Sequence, residues 1–225
     1  MSTLENEIKE LKDSTVEMWS LVINQMDKVK TAFIEFDKNL ASEVMAKEKR
    51  VDAYELKIDK ECEVFALKNP FATDLRFVLA ILKINTNLER IGDYADSIAR
   101  IVDDMEEPPE EEFLKRLRIL EMFHICFSML GEGLNSMILE DSKLARKLFR
   151  MDKELNTINR SAPRIVCDLI KDYPDKSFEL IEMLLIVSKL ERVGDQLTNI
   201  AEEIVYFIEA KKLMHSSLKN KLKSD

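Results

Sequence analysis

The chain has 225 residues, of which 46% are apolar and 34% charged, and its net charge is −9. That length suffices for a real buried core, and the acidic balance argues against a nucleic-acid binder, because phosphate backbones need a basic surface. Only 4 Gly and 5 Pro leave little material for turns, while Leu, Glu, Lys, Met and Ala dominate, so a few long helices are expected.

Six segments carry apolar residues at three- and four-residue spacing. The first opens with a candidate capping box, Ser2-x-x-Glu5, and breaks near Asp37-Lys38-Asn39. The start, Met1-Ser2-Thr3-Leu4-Glu5, lacks the basic and apolar regions of a secretory signal. The second segment ends at Asn69-Pro70, and Thr73 is a candidate N-cap for the third, which stops at Glu107-Pro108-Pro109. The fourth reaches Leu139-Glu140-Asp141. The fifth runs to Asp172-Tyr173-Pro174-Asp175 and contains Pro163, which should kink or divide it. The sixth leads into a basic end bearing Lys211, Lys212, Lys219, Lys221 and Lys223, read as a solvated tail that could also approach anionic lipid or an acidic partner. The best apolar run, Met183 to Val187, is far too short to span a membrane, so a soluble, cytoplasmic protein is expected, at most peripherally associated with a membrane. Cys62, Cys126 and Cys167 are isolated and read as reduced core cysteines.

The third and sixth segments resemble each other. Leu88-Glu89-Arg90-Ile91-Gly92-Asp93 returns as Leu190-Glu191-Arg192-Val193-Gly194-Asp195, and Ile98-Ala99 as Ile200-Ala201. Over the 12 positions from Leu88 to Ala99, 7 residues recur at an offset of 102. A period so long signals a duplicated domain and not a solenoid. The expected organisation is all-α: two tandem three-helix bundles, residues 1–107 and 108–225, joined near Pro108-Pro109.

On a helical wheel Glu89, Asp93 and Asp96 fall at about 0°, 40° and −20°, in line with Leu82, Val78 and Leu75. The acids therefore continue an apolar stripe that the wheel places toward the core. Glu191, Asp195 and Glu202 cover about 0° to 40° with Leu184 and Leu180, and Asn199 lies at the edge. Acids four apart repel, and burial raises that cost. Lys or Arg from neighbouring helices, water, or a multivalent cation could remove it. Oxygen ligands suit Mg²⁺, Mn²⁺, Ca²⁺ or iron. Gly92 and Gly194 suggest close backbone approach, since a mid-helix Gly costs about 1 kcal/mol. Arg90 and Arg192 point about 100° away from the neighbouring Glu, toward another helix or the outside of such a site.

Two further patterns bear on enzymatic readings. Glu121-x-x-His124 has the spacing of di-iron bundles, but the only other histidine, His215, has Lys212 three residues before it. A ferritin-like carboxylate oxidase thus lacks half its ligands. No Ser/His/Asp or Cys/His arrangement and no Gly-x-x-x-x-Gly-Lys loop is present, so catalysis is not expected.

The run from Asn69-Pro70-Phe71-Ala72-Thr73-Asp74-Leu75-Arg76-Phe77 through Leu82 to Asp93, together with Leu190 to Asp195 and Asn199-Ile200-Ala201-Glu202, resembles the PhoU family. The resemblance covers nearly the whole chain, with departures at Asn87, Tyr94, Ser97, Gln196 and Thr198. It implies paired three-helix bundles, often dimeric, with metal clusters on the Glu-x-x-x-Asp carboxylates. On that analogy Glu89, Asp93, Glu191 and Asp195 are the leading metal ligands, followed by Asp96, Asp74, Asn199 and Glu202. The metal would be iron, manganese or magnesium. The implied role is negative regulation of phosphate uptake and phosphate-starvation signalling, as an adaptor between a phosphate ABC transporter and a sensor histidine kinase. A metal-free helical adaptor is the other reading of the same fold.

Overall fold

The computed structural model describes residues 3–68 and 71–210, and every regular element among them is helical. In chain order these are α1 (Thr3–Glu35), α2 (Lys38–Ala66), α3 (Ala72–Asp104), α4 (Glu111–Arg116), α5 (Ile119–Ile138), α6 (Ser142–Asp172) and α7 (Ser177–Glu209), with a 3-10 turn at Pro174–Lys176 before α7. Ser2, Asn69-Pro70, His215 and the basic end lie outside the described residues.

The same turn is built twice. Phe36 and Glu140 each adopt a left-handed conformation, both at φ 52°, and the next residue, Asp37 or Asp141, caps the following helix. Asp37 accepts from the Asn39 and Leu40 amides, and Asp141 from those of Lys143 and Leu144. These side chains satisfy amides that the first helical turn leaves open. The expectation for Thr73 fails, because α3 is entered from Phe71 with no side-chain cap. The fourth segment is also divided: Arg118, at φ 55°, separates the short α4 from α5. Pro163 neither ends nor divides α6, which runs unbroken from Ser142 to Asp172, and its side chain is exposed.

Helices α1, α2 and α3 form one bundle, and α5, α6 and α7 the other. They join through α3 and α7, which run antiparallel. Lys83 bonds Glu203 at 2.7 Å, Asn87 meets Asn199 at 3.3 Å, and Phe77 stacks edge-on against Phe207 at 5.5 Å. Helices α1 and α5 close the other side, where Phe33 faces Phe123 at 6.4 Å and a Cβ on Gly133 would lie 2.9 Å from the Trp19 ring. The linker after α3 is pinned to the start of α7: Lys176 pairs with Glu107, Glu110 and Glu179, and the Glu110 amide donates to Glu179 at 3.3 Å. Cys62 and Cys126 are core residues, and burial pushes both thiols up, Cys62 to about 12. Cys167 is exposed, so that third cysteine does not belong to the core.

Candidate metal centre

The acids of α3 do not point into the core. The fully buried face of α3 carries Ile81, Ile84, Leu88, Ile91 and Ala95, about 120° round the helix from Glu89. The apolar arc of this helix is wide because α1, α2 and α7 all pack on it, so a wheel overstates how far its edge is buried. Glu89 is half-buried, Asp93 exposed and Asp96 buried.

What these acids meet is α2. That helix presents Glu48, Asp52, Glu55 and Asp59, all half-buried and spaced i, i+4, i+7 and i+11, on one stripe. Helices α2 and α3 are antiparallel, so the two stripes pair as rungs. Glu48 is repelled by Asp52, Asp96 and Asp93; Glu55 by Asp59, Asp52 and Asp93; Glu89 by Asp93, Glu55 and Asp52. At the last rung the Asn85 amide donates to Asp59 at 2.9 Å and to the Glu55 carbonyl. Burial first, then this repulsion, raises the carboxyls of Glu48 and Glu55 and pushes Glu89, hydrogen-bonded to Asp93, up to about 7. The close approach is enabled by Gly92, where a Cβ would stand 3.2 Å from Gln25 Oε1 and 3.4 Å from Val51 of α2.

The stripe on α2 is the part that reading the duplicated block alone misses, although its spacing was visible. Among the described residues, basic charge reaches the seam from Arg90, which eases Glu55, and from Arg100 at the end. Arg100 donates to Asp96 Oδ2 at 2.7 Å, but Asp96 Oδ1 stays buried without a hydrogen bond, as does Asn85 Oδ1. Arg90 is exposed and lines a cleft of about 510 Å³. A hard cation fits this chemistry: several carboxylates, mutual repulsion, and buried oxygens with spare lone pairs. Among the described residues, no group of three or more His, Cys, Asp or Glu side chains is already closed around one point, so binding would require side chains to swing inward.

The second copy places its residues differently. Glu191 and Asp195 are half-buried and face α6, where Asn159 hydrogen-bonds Glu191 and a Cβ on Gly194 would lie 2.9 Å from Asp152 Oδ1 and 2.5 Å from Leu155. Burial and Asp195 still raise the Glu191 carboxyl. Asn199 and Glu202 do not join them. They line the cleft between α7 and α3, opposite Asp59, Asn87 and Arg90. Asp74 is more distant, in a separate cleft with Glu5, Lys9, Lys12 and Glu140. Glu121 is held by Arg118 at 2.5–2.6 Å and its carboxyl is lowered, while His124 is exposed on α5.

Comparison with known proteins agrees with this duplicated architecture. The PhoU domain model matches residues 15–102 and again 119–204. The phosphate-specific transport system accessory protein PhoU homolog of Pseudomonas putida is 30% identical over 217 residues, 95% of this chain and 83% of that protein. Its Borreliella burgdorferi counterpart is 32% identical over 212 residues, 91% of this chain and 94% of that one. The crystal structure of PhoU from Pseudomonas aeruginosa superposes with a TM-score of 0.86 at 26% identity, covering 93% of this chain and 100% of the other. The phosphate transport system regulatory protein PhoU from Streptococcus pneumoniae gives 0.84 at 26% identity, over 94% and 100%. With the domain recognised twice at the positions of its two bundles, the chain belongs to the PhoU family.

Proposed function

We propose that this protein regulates phosphate uptake and keeps phosphate-starvation genes silent when phosphate is ample. In this reading it is a non-enzymatic adaptor in the cytoplasm between a phosphate ABC transporter and a sensor histidine kinase, working as a homodimer. The observation that carries it is the likeness, over nearly the entire chain, to accessory proteins of phosphate-specific transport systems. No helix among the described residues is long and apolar enough to cross a membrane, so contact with a transporter would be made from outside the bilayer. Exposed apolar side chains at the start of α3 (Phe71, Leu75, Leu79) and of α7 (Phe178, Ile181, Leu185) are suited to meeting partners.

The metal reading rests on the α2/α3 seam. Glu48, Asp52, Glu55, Glu89, Asp93 and Asp96 would hold Mg²⁺, Mn²⁺ or iron, and the cation would supply positive charge that locks the two helices together. The protein's own part is to hold carboxylates at fixed intervals along two rigid helices, with Gly92 keeping them close.

The test is alkaline phosphatase output in a deletion strain grown with ample phosphate. High output that falls when the gene is restored supports the repressor role. Output as low as the parent's, in a strain with no second copy of the gene, refutes it.

A further inference from the structure

The two seams are equivalent in position but not in chemistry. Capping residues Asp37 and Asp141 set the register of α2 against α6, and Glu89 and Glu191 that of α3 against α7. In that register each rung of the first seam has a counterpart. Glu48 opposite Asp96 becomes Asp152 opposite Thr198. Asp52 opposite Asp93 becomes Asn156 opposite Asp195. Glu55 opposite Glu89 becomes Asn159 opposite Glu191. Asp59 opposite Asn85 becomes Pro163 opposite Val187.

Every acid–acid rung of the first seam has therefore lost at least one carboxylate in the second. The replacements also engage the Asp152 and Glu191 carboxylates. Asn156 Nδ2 donates to Asp152 Oδ2 at 2.7 Å, the Asn159 side chain donates to Glu191, and the Thr198 hydroxyl turns away to the Asp195 carbonyl at 2.9 Å. An amide N–H seated on a carboxylate oxygen takes one of the lone pairs a cation could use, and an amide in place of a carboxylate removes a charged ligand. Affinity for hard cations follows the number of charged ligands. Both seams keep a buried acid at this rung, Asp96 and Asp152, each 8% exposed, but Asp96 faces a second carboxylate, Glu48, where Asp152 faces Thr198.

We propose that cation binding in this chain is one-sided: the α2/α3 seam takes hard divalent or trivalent ions, and the α6/α7 seam, with a single carboxylate at each of its acidic rungs, is a metal-independent copy. The inference rests on the metal reading given above and adds to it a stoichiometry and a location. One bundle responds to the ion, and the other is a rigid reference against which its response is felt through α3 and α7.

The experiment is calorimetric titration of the chelator-treated full chain with Mn²⁺, alongside three variants. Asp93→Asn should weaken binding by at least about tenfold, while Asp195→Asn should leave affinity and stoichiometry within about twofold of the parent. Asn156→Asp combined with Asn159→Glu, which rebuilds two acid–acid rungs, should add a second set of binding events. Loss of affinity in Asp195→Asn matching that in Asp93→Asn would show both seams at work and overturn the one-sided reading alone. Absence of saturable binding in the parent, or a parent-like Asp93→Asn, would overturn the metal reading itself. Parent-like helical content in each variant keeps these outcomes separate from misfolding, and the double variant gains a signal that unfolding cannot mimic.

Discussion

Replacing Glu89 by Gln in the metal-free protein should raise its stability. Glu89 is half-buried beside Asp93, Glu55 and Asp52, and its carboxyl is pushed up from 4.5 to about 7. At about pH 8 the fold must nevertheless hold it charged. A rise of that size would correspond to about 3 kcal/mol for a fully shielded group. Water reaches much of this side chain, so screening cuts the felt cost to about 1 kcal/mol. Gln keeps the shape and can still donate to Asp93, as the protonated acid does, so the repulsion is removed without a hole. For a chain of this size 1 kcal/mol is worth about 2–4 °C in Tm. The assay is a thermal melt followed by circular dichroism, with chelator at about pH 8. Mn²⁺ in excess should then reverse the order: saturating at about 100 times Kd stabilises the parent by about 2.7 kcal/mol, and the variant by much less. A variant that melts lower than the parent in chelator, or gains as much from Mn²⁺, would refute the seam as a strained, cation-ready site.

The same group fixes a pH dependence. Between about pH 4.5 and 7 the folded chain binds more protons at Glu89 than the unfolded one, so metal-free stability falls as pH rises through that window. Raised carboxyls at Glu48, Glu55 and Glu191 act in the same direction. Chelator-treated protein should melt higher at about pH 5 than at about pH 8; denaturant midpoints independent of pH would contradict this. Gly194→Ala should cost about 1–3 kcal/mol, because its Cβ would meet Leu155 Cδ1 at 2.5 Å, whereas Gly92→Ala, with nothing nearer than 3.2 Å, should cost less. Equal losses in urea titration would argue against the tighter approach of α6 to α7. Pro163→Ala restores an amide to the interior of α6 and should stabilise by up to about 3 kcal/mol, visible as a higher melting temperature; a lower one would mean the proline ring is packed.

Much of the fold could be read from residues. The duplicated Glu-Arg-(Ile/Val)-Gly-Asp block announced two copies, and most element boundaries fall at the predicted breaks. Arg118 was not legible, because a left-handed non-glycine residue carries no sequence signal of its own and is imposed by packing. The acids of α3 were visible, but their direction was not: a wheel ranks faces within one helix and cannot say which neighbour covers each. Glu48, Asp52, Glu55 and Asp59 had helical spacing in plain sight. They sit among Lys47, Lys49, Arg50, Lys57 and Lys60, where a stripe of acids looks like any solvated face. Only α3, lying antiparallel against them, makes them part of a site. Glu202 and Asn199 show the converse: Glu202 shares the wheel angle of Glu191 and Asn199 lies at the edge of that stripe, but α3 instead of α6 stands over them.

The antiparallel pairing of α3 with α7 has a consequence for how the molecule is held together. Each bundle offers the other its third helix, the kind of self-complementary contact by which two separate copies would dimerise. A short linker between α3 and α4, pinned by Lys176 to its acidic neighbours, makes that encounter intramolecular. The effective concentration of one half for the other is then of millimolar order, whatever the abundance of the protein. The union of the two bundles becomes insensitive to dilution.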